Sequence, residues 1–134
     1  MTAVAQACRT PILFVGEDEP GAGARLQSEY RLRQGSSRID PGQQAVLVVY
    51  EPAGAVSADR AADAEYVQEM LADLKDVLRR LGASDPEVIY GGAVTKENIE
   101  QFARLDVLDG VGATRAGLDA QGFLAMTDRV AGSG

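Results

Sequence analysis

The sequence predicts an α/β fold in which four parallel strands alternate with helices. Three observations predict it. Four short apolar runs recur along the chain, and helix-period segments separate them. The first two runs are continuous rather than alternating, which suits strands covered on both faces of a parallel sheet. Alternation of this kind implies right-handed βαβ units, and periodicity alone fits either an open sheet or part of a barrel.

Met1 to Cys8 has neither a basic start nor a long apolar run, so no signal peptide is expected. The first strand is Ile12-Leu13-Phe14-Val15. Gly23 to Gln34 reads as a short helix, although Ala24, Leu26, Tyr30 and Leu32 make a poor stripe. Arg38 to Gln44, with Pro41-Gly42, reads as loop, and Ala45 to Tyr50 as the second strand. The clearest helical pattern runs from about Asp59 to Leu81, with Tyr66, Val67, Met70, Leu71, Leu74, Val77 and Leu78 on one stripe. Ser57 or Asp59 can cap its start, and Gly82 can end it in a left-handed conformation. Val88-Ile89-Tyr90 is the third strand. A helix is expected after Thr95, whose hydroxyl can accept from the backbone at Glu97 or Asn98, with Ile99, Phe102 and Leu105 on its buried face. A weak fourth run spans Leu108 to Ala113. The last helix is expected from about Asp119 to Val130, burying Phe123, Leu124 and Met126, with 131–134 frayed. Residues 1–134 read as one domain.

With 134 residues and 46% apolar content, the chain has the material for a real core. A net charge of -7 argues against a nucleic-acid or polyanion partner. One cysteine, Cys8, cannot form an internal disulfide, which favours a reducing, cytoplasmic setting. No apolar stretch approaches the roughly 20 residues that span a bilayer, so no membrane partner is expected. Metal constellations, nucleophile–base pairs and phosphate-loop patterns are missing from the sequence, so neither metal nor cofactor is expected.

Two segments carry chemistry. Glu51 ends the apolar run Val48-Val-Tyr-Glu-Pro52, and Tyr90-Gly-Gly-Ala-Val94 follows the third strand. Each sits where a βα unit turns from strand to loop, so a carboxylate base and a glycine-lined anion site share one face of the sheet. The plainer readings are a capping or salt-bridging carboxylate at Glu51 and a tight turn at Gly91 and Gly92.

In order and spacing, Pro11-Ile-Leu-Phe-Val-Gly-Glu17, Ala45-Val-Leu-Val-Val-Tyr-Glu-Pro52, Val88-Ile-Tyr-Gly-Gly-Ala-Val94 and Leu108-Asp-Gly-Val-Gly-Ala113 resemble the second half of the triosephosphate isomerase family. The resemblance covers strands five to eight of that family and nearly all of this chain. It implies half of a TIM (β/α)8 barrel, with 1–9 as the tail of a preceding helix. An unrelated open-sheet binding domain fits the alternation but not these motifs.

The resemblance also implies roles. Glu51 matches the base that shuttles a proton between adjacent carbons of a triose phosphate. Gly91 and Gly92 match glycines lining the phosphate site, Glu17 a structural, lid-anchoring glutamate, and Tyr90 a further residue of the lid support. The lid itself matches Ala53 to Ala58, with Gly54 at the position of a hinge tryptophan, Ala55 and Val56 within it, and Ser57 at the position of a lid glycine. Ala93 replaces the serine that helps latch the lid. Thr114-Arg115 replaces a glycine pair at the last strand, where Arg115 is either an anion ligand or a solvated loop charge. Relatives acting on tetrulose phosphates resemble this lid and last loop more closely. The implied substrate is a sugar phosphate; the implied partner is a complementary half-barrel or another copy in a homo-oligomer. The family's asparagine, lysine and histidine electrophiles have no counterpart in these motifs, and the chain contains no histidine.

Overall fold

The computed structural model describes residues 9–57 and 60–132, with only the backbone of Val56 and Ser57. The expectations for Met1 to Cys8 and for 133–134 lie outside the described residues. Four strands, β1 (Ile12–Val15), β2 (Leu47–Tyr50), β3 (Glu87–Tyr90) and β4 (Gly110–Val111), pair in parallel in the order β1-β2-β3-β4. Between and after them run α1 (Ala24–Ser36), α2 (Ala53–Ser57), α3 (Ala64–Arg80), α4 (Ile99–Ala103), a 3₁₀ turn (Arg115–Leu118) and α5 (Ala120–Ala131). This is four βα units of a parallel sheet, the architecture of half a TIM barrel. No helix among the described residues is long and apolar enough to cross a membrane.

The core lies on the helix side of the sheet. Val48, Tyr50, Val88 and Tyr90 point into it, alternate residues of adjacent strands as the period of two requires. Helix α3 covers them with Val67, Met70, Leu71, Leu74, Val77 and Leu78, all buried. Full burial of a side chain of this size is worth about 1.5–3 kcal/mol, so α3 supplies the largest share of the packing. The Tyr90 ring sits 4.5 Å from that of Phe102 and 6.1 Å from that of Tyr50, fixing α4 against the sheet. Asp109 ties two layers together, accepting from the Val88 amide at 2.7 Å and pairing with Lys75 of α3 at 2.8 Å.

Several expectations need correction. β1 is not covered on both faces: Ile12 is 55% and Phe14 65% exposed, because β1 is an edge strand whose second face has no layer above it. The long helix begins at Ala64, not near Asp59, which lies outside the described residues. Its cap is Asp63, extended at ψ 137°, whose carboxylate accepts from the amides of Glu65 and Tyr66. Ser57 instead ends α2, a short helix where a loop-like lid was expected. Gly82 does adopt a positive φ, of 102°, after the helix. In α5, Met126 is buried, but Phe123 and Leu124 are 46% and 62% exposed; the Phe123 ring rests only partly covered beside Gly117 of the 3₁₀ turn. In α1 the buried positions are Ala24, Ser28, Leu32 and Ser36, an i,i+4 line half made of serine, whereas Leu26 and Tyr30 face outward. Helix α4 starts at Ile99, four residues after Thr95, whose hydroxyl accepts from Glu97 as expected.

Candidate active site

The register places four residues in one row just beyond the strands. Val15, Tyr50, Tyr90 and Val111 are paired across the sheet, and the ladder continues for one more step. The Glu51 amide donates to the Val15 carbonyl at 2.8 Å, Gly91 to Tyr50 at 2.9 Å, and Gly112 to Tyr90 at 2.7 Å. The row therefore reads Gly16, Glu51, Gly91, Gly112. Three bare backbones surround one carboxylate.

That carboxylate points away from the core, on the face shared by Phe14, Val49 and Ile89. A Cβ added at Gly91 would stand 3.0 Å from Val49 Cγ1 and 3.7 Å from Glu51 Oε1, so the glycine lies directly beside the Glu51 oxygen. A Cβ at Gly16 would stand 2.7 Å from the Glu51 carbonyl carbon and 2.9 Å from the Pro52 nitrogen, which only glycine avoids. Glu51 is partly buried. The Gly91-Gly92-Ala93 turn carries its one left-handed residue at Ala93, φ 50°, and not at either glycine. Gly92 is needed for a different reason: a Cβ there would stand 2.8 Å from Tyr90 Cζ.

Behind the row, on the helix side, Glu17 is 1% exposed and gathers three hydroxyls. Tyr50 donates to its two oxygens at 2.9 and 3.1 Å, Tyr66 to Oε1 at 2.8 Å, and Ser28 to Oε2 at 3.1 Å. Burial first, and the Glu17 charge second, push the Tyr50 hydroxyl well above the usual phenol range. Burial and the bond to Glu17 push Tyr66 up to about 12. Tyr90 is raised as well, mainly by burial, and its hydroxyl accepts from the Ala62 amide at 2.9 Å. The backbone of Glu17 also accepts from Ala53 at 2.9 Å, so one residue anchors both β2 and the start of α2. Arg31 completes the turn, donating to the Gly16 carbonyl at 2.6 Å and to Asp18 at 2.8 Å.

The structure thus brings Glu51 and Gly91 together, with Gly92 beside Tyr90. Glu17 and Tyr90 brace the segment that follows Glu51, while Gly54 and the buried Ala55 belong to α2. Val56 and Ser57 contribute described backbone only. Thr114 and Arg115 are exposed at the 3₁₀ turn, two and three residues beyond Gly112. Among the described residues, no three metal-ligating side chains converge. The motifs alone did not single out Ser28, Tyr66 or the flanking Gly16 and Gly112. A signal for the glycines was present: aligning strand ends puts glycine after Val15, Tyr90 and Val111, and glutamate only after Tyr50.

Four parallel strands paired in chain order, each followed by helical segments, make this a protein of the (β/α)8-barrel class, represented by half a barrel. The triosephosphate isomerase family model matches residues 1–130, and the chain belongs to that family. It is 33% identical over 129 residues to the triosephosphate isomerase of Chlamydia caviae, covering 90% of this chain and 50% of that protein. The Moorella thermoacetica triosephosphate isomerase is 34% identical over 125 residues, covering 88% of this chain and 50% of the relative. For the Mycoplasma pneumoniae triosephosphate isomerase the figures are 30% over 131 residues, 94% and 53%. The chain spans about half the length of the curated relatives it matches.

Proposed function

We propose that this chain supplies the proton-shuttling half of an aldose–ketose isomerase acting on a sugar phosphate, a triose phosphate or a close tetrulose phosphate, in a cytoplasmic setting. The observation that carries the reading is the position of Glu51 Oε1 beside Gly91 on the face opposite the core. Glu51 takes a proton from the carbon next to the substrate carbonyl, giving an enediolate, and returns it to the neighbouring carbon. Glu51 serves both carbon transfers, and the hydroxyl proton passes from one enediolate oxygen to the other in the same turnover through groups of the complementary half, so no atom is gained or lost. The backbone of Gly91 and Gly92 approaches the phosphate without a Cβ in the way, with Ser57, Thr114 and Arg115 completing that end. The chain has no histidine, so the groups that polarise the carbonyl come from a complementary half-barrel packed on the exposed face.

The test is to combine this chain with the N-terminal half of a relative and assay glyceraldehyde 3-phosphate and erythrulose 1-phosphate. Isomerisation should appear only in the mixture, and Glu51→Gln should lower kcat by roughly 10²–10⁴ with little change in assembly. Activity in the mixture that survives Glu51→Gln would overturn the reading.

A second reading, a non-catalytic assembly or phosphate-binding module, draws on the exposure of Ile12 and Phe14 along the unpaired β1 edge. It requires self-association or anion affinity without turnover. Sedimentation showing a monomer that does not bind inorganic phosphate would remove it.

A further inference from the structure

We propose that a second copy of this chain covers the open sheet face, the two four-stranded sheets closing about a two-fold axis into one barrel. Among the described residues β1 pairs only with β2 and β4 only with β3, so the sheet ends in two unpaired edges. All the strands run parallel. A two-fold axis along them therefore sets β4 of one copy beside β1 of the other, in parallel, and repeats that contact on the opposite side. Both edges of both copies are then used, so the assembly stops at two chains instead of growing into a filament.

Two observations choose this occupant. The first is charge. A net charge of -7 opposes self-association, but the excess is unevenly spread. Residues 24–38, which follow β1, hold four arginines and one glutamate, whereas residues 96–131, on either side of β4, hold six acids and four bases. Each seam of the two-fold closure sets the basic flank of one copy against the acidic flank of the other. The second observation is apolar cover. Ile12 and Phe14 are 55% and 65% exposed at the β1 edge, and Phe123 and Val130 of α5 are 46% and 40% exposed at the β4 edge. Arg129 turns to Glu100 of α4 at 3.3 Å, so Phe123 and Val130, about 100–120° further round the helix, lie on the flank away from α4. Two copies of Ile12, Phe14 and Ile89 also supply the barrel interior, which at this strand number is only wide enough for side chains. The closed dimer places both Glu51 carboxylates at one rim without the groups that polarise a carbonyl, so it is a resting form that a complementary half must displace. The inference rests on the assembly reading, to which it gives a partner and a geometry, and it needs no turnover.

The test is sedimentation equilibrium of the full chain at low ionic strength, with matched charge reversals on the two flanks. Arg33 and Arg38 on the β1 side and Asp106 and Asp128 on the β4 side are exposed, and none is paired with an opposite charge among the described residues. Wild type should form dimers and nothing larger. Arg33→Glu/Arg38→Glu and, separately, Asp106→Lys/Asp128→Lys should each dimerise at least about tenfold more weakly, because both seams then oppose like charges. The lysine variant is less acidic overall than wild type, so general repulsion predicts the opposite for it. Mixing the two variants should restore dimers, since one seam regains its native signs and the other is reversed on both sides. Phe14→Asp should give monomers with the circular dichroism of the wild type. A dimer indifferent to Phe14→Asp, or a mixture no better associated than its components, would overturn the proposal and leave the assembly reading to another surface. A monomeric wild type would overturn it and remove self-association from that reading as well. The charge-swap mixture decides the matter even if Phe14→Asp does not fold.

Discussion

Replacing Glu17 by leucine tests whether the buried carboxylate holds the strand ends together. Leucine fills a similar volume, so the change removes an acceptor and a charge without opening a large cavity. Tyr50 and Ser28 are 0% and 1% exposed, and both would lose their partner. Each buried hydroxyl left unpaired costs about 1–3 kcal/mol, while Tyr66, nearer the surface, can turn to water. Removing a buried charge offsets part of this, because its desolvation is no longer required. The net expectation is a loss of about 3 kcal/mol. For a chain of this length, that lowers Tm by roughly 10 °C. Urea unfolding followed by circular dichroism measures the loss directly. The decisive control is the double variant Glu17→Leu/Tyr50→Phe, which deletes the stranded hydroxyl and should recover about 1–2 kcal/mol. A single variant within 1 kcal/mol of wild type, or a double variant less stable than the single, would refute the argument; the threshold of about 1 kcal/mol is the net worth of one ordinary hydrogen bond.

Gly92→Ala should cost about 1–3 kcal/mol in the same urea assay, because its Cβ would press on a Tyr90 ring already held by Phe102 and the Ala62 amide. Asp63→Ala removes the side-chain cap of α3 and should cost about 1 kcal/mol, with Asp63→Ser restoring most of it. The tyrosines give a pH dependence of definite sign. Tyr66 near 12 in the folded chain lies above the unfolded value of about 10, so its contribution is complete below pH ~10 and is lost as pH rises toward 12. Tyr50 and Tyr90 are raised in the same direction and add to that loss. Thermal melts between about pH 9 and 11 should show falling Tm, with a shallower fall in Tyr66→Phe; an unchanged slope would count against the network.

Strand identity was legible because each strand is a short apolar run ended by glycine or glutamate, and that ending fixes where the sheet stops. Helix α3 was legible for the same reason: its apolar stripe is long enough to outvote local ambiguity. Its start was not. Ser57, Asp59 and Asp63 are all capping residue types, and Asp63 takes the role directly after Ala62, whose amide is tied to the Tyr90 hydroxyl, a tertiary contact that local sequence does not reveal. The exposure of Ile12 and Phe14 was also illegible. A continuous apolar run states that a strand expects cover on both faces, but not whether this chain provides it. Within the site, the pairing of Glu51 with Gly91 follows from strand ends and register. The gathering of Ser28, Tyr50 and Tyr66 on Glu17 joins four elements far apart in sequence, and no spacing rule announces it.

The geometry couples cover and chemistry. Phe14, Val49, Ile89 and Gly110 form the register row immediately below Gly16, Glu51, Gly91 and Gly112, on the same face. In the proposed reading, any layer that buries the lower row also removes water from around Glu51. Burial of Ile12 and Phe14 would stabilise such an assembly, and lost solvent would strengthen the carboxylate as a base. The two effects share their side chains, so turnover and association should rise together as the partner half is added. A carboxylate that gained activity before the apolar face was covered would break that link, and with it the account of why this sheet exposes Phe14 on the face that carries Glu51.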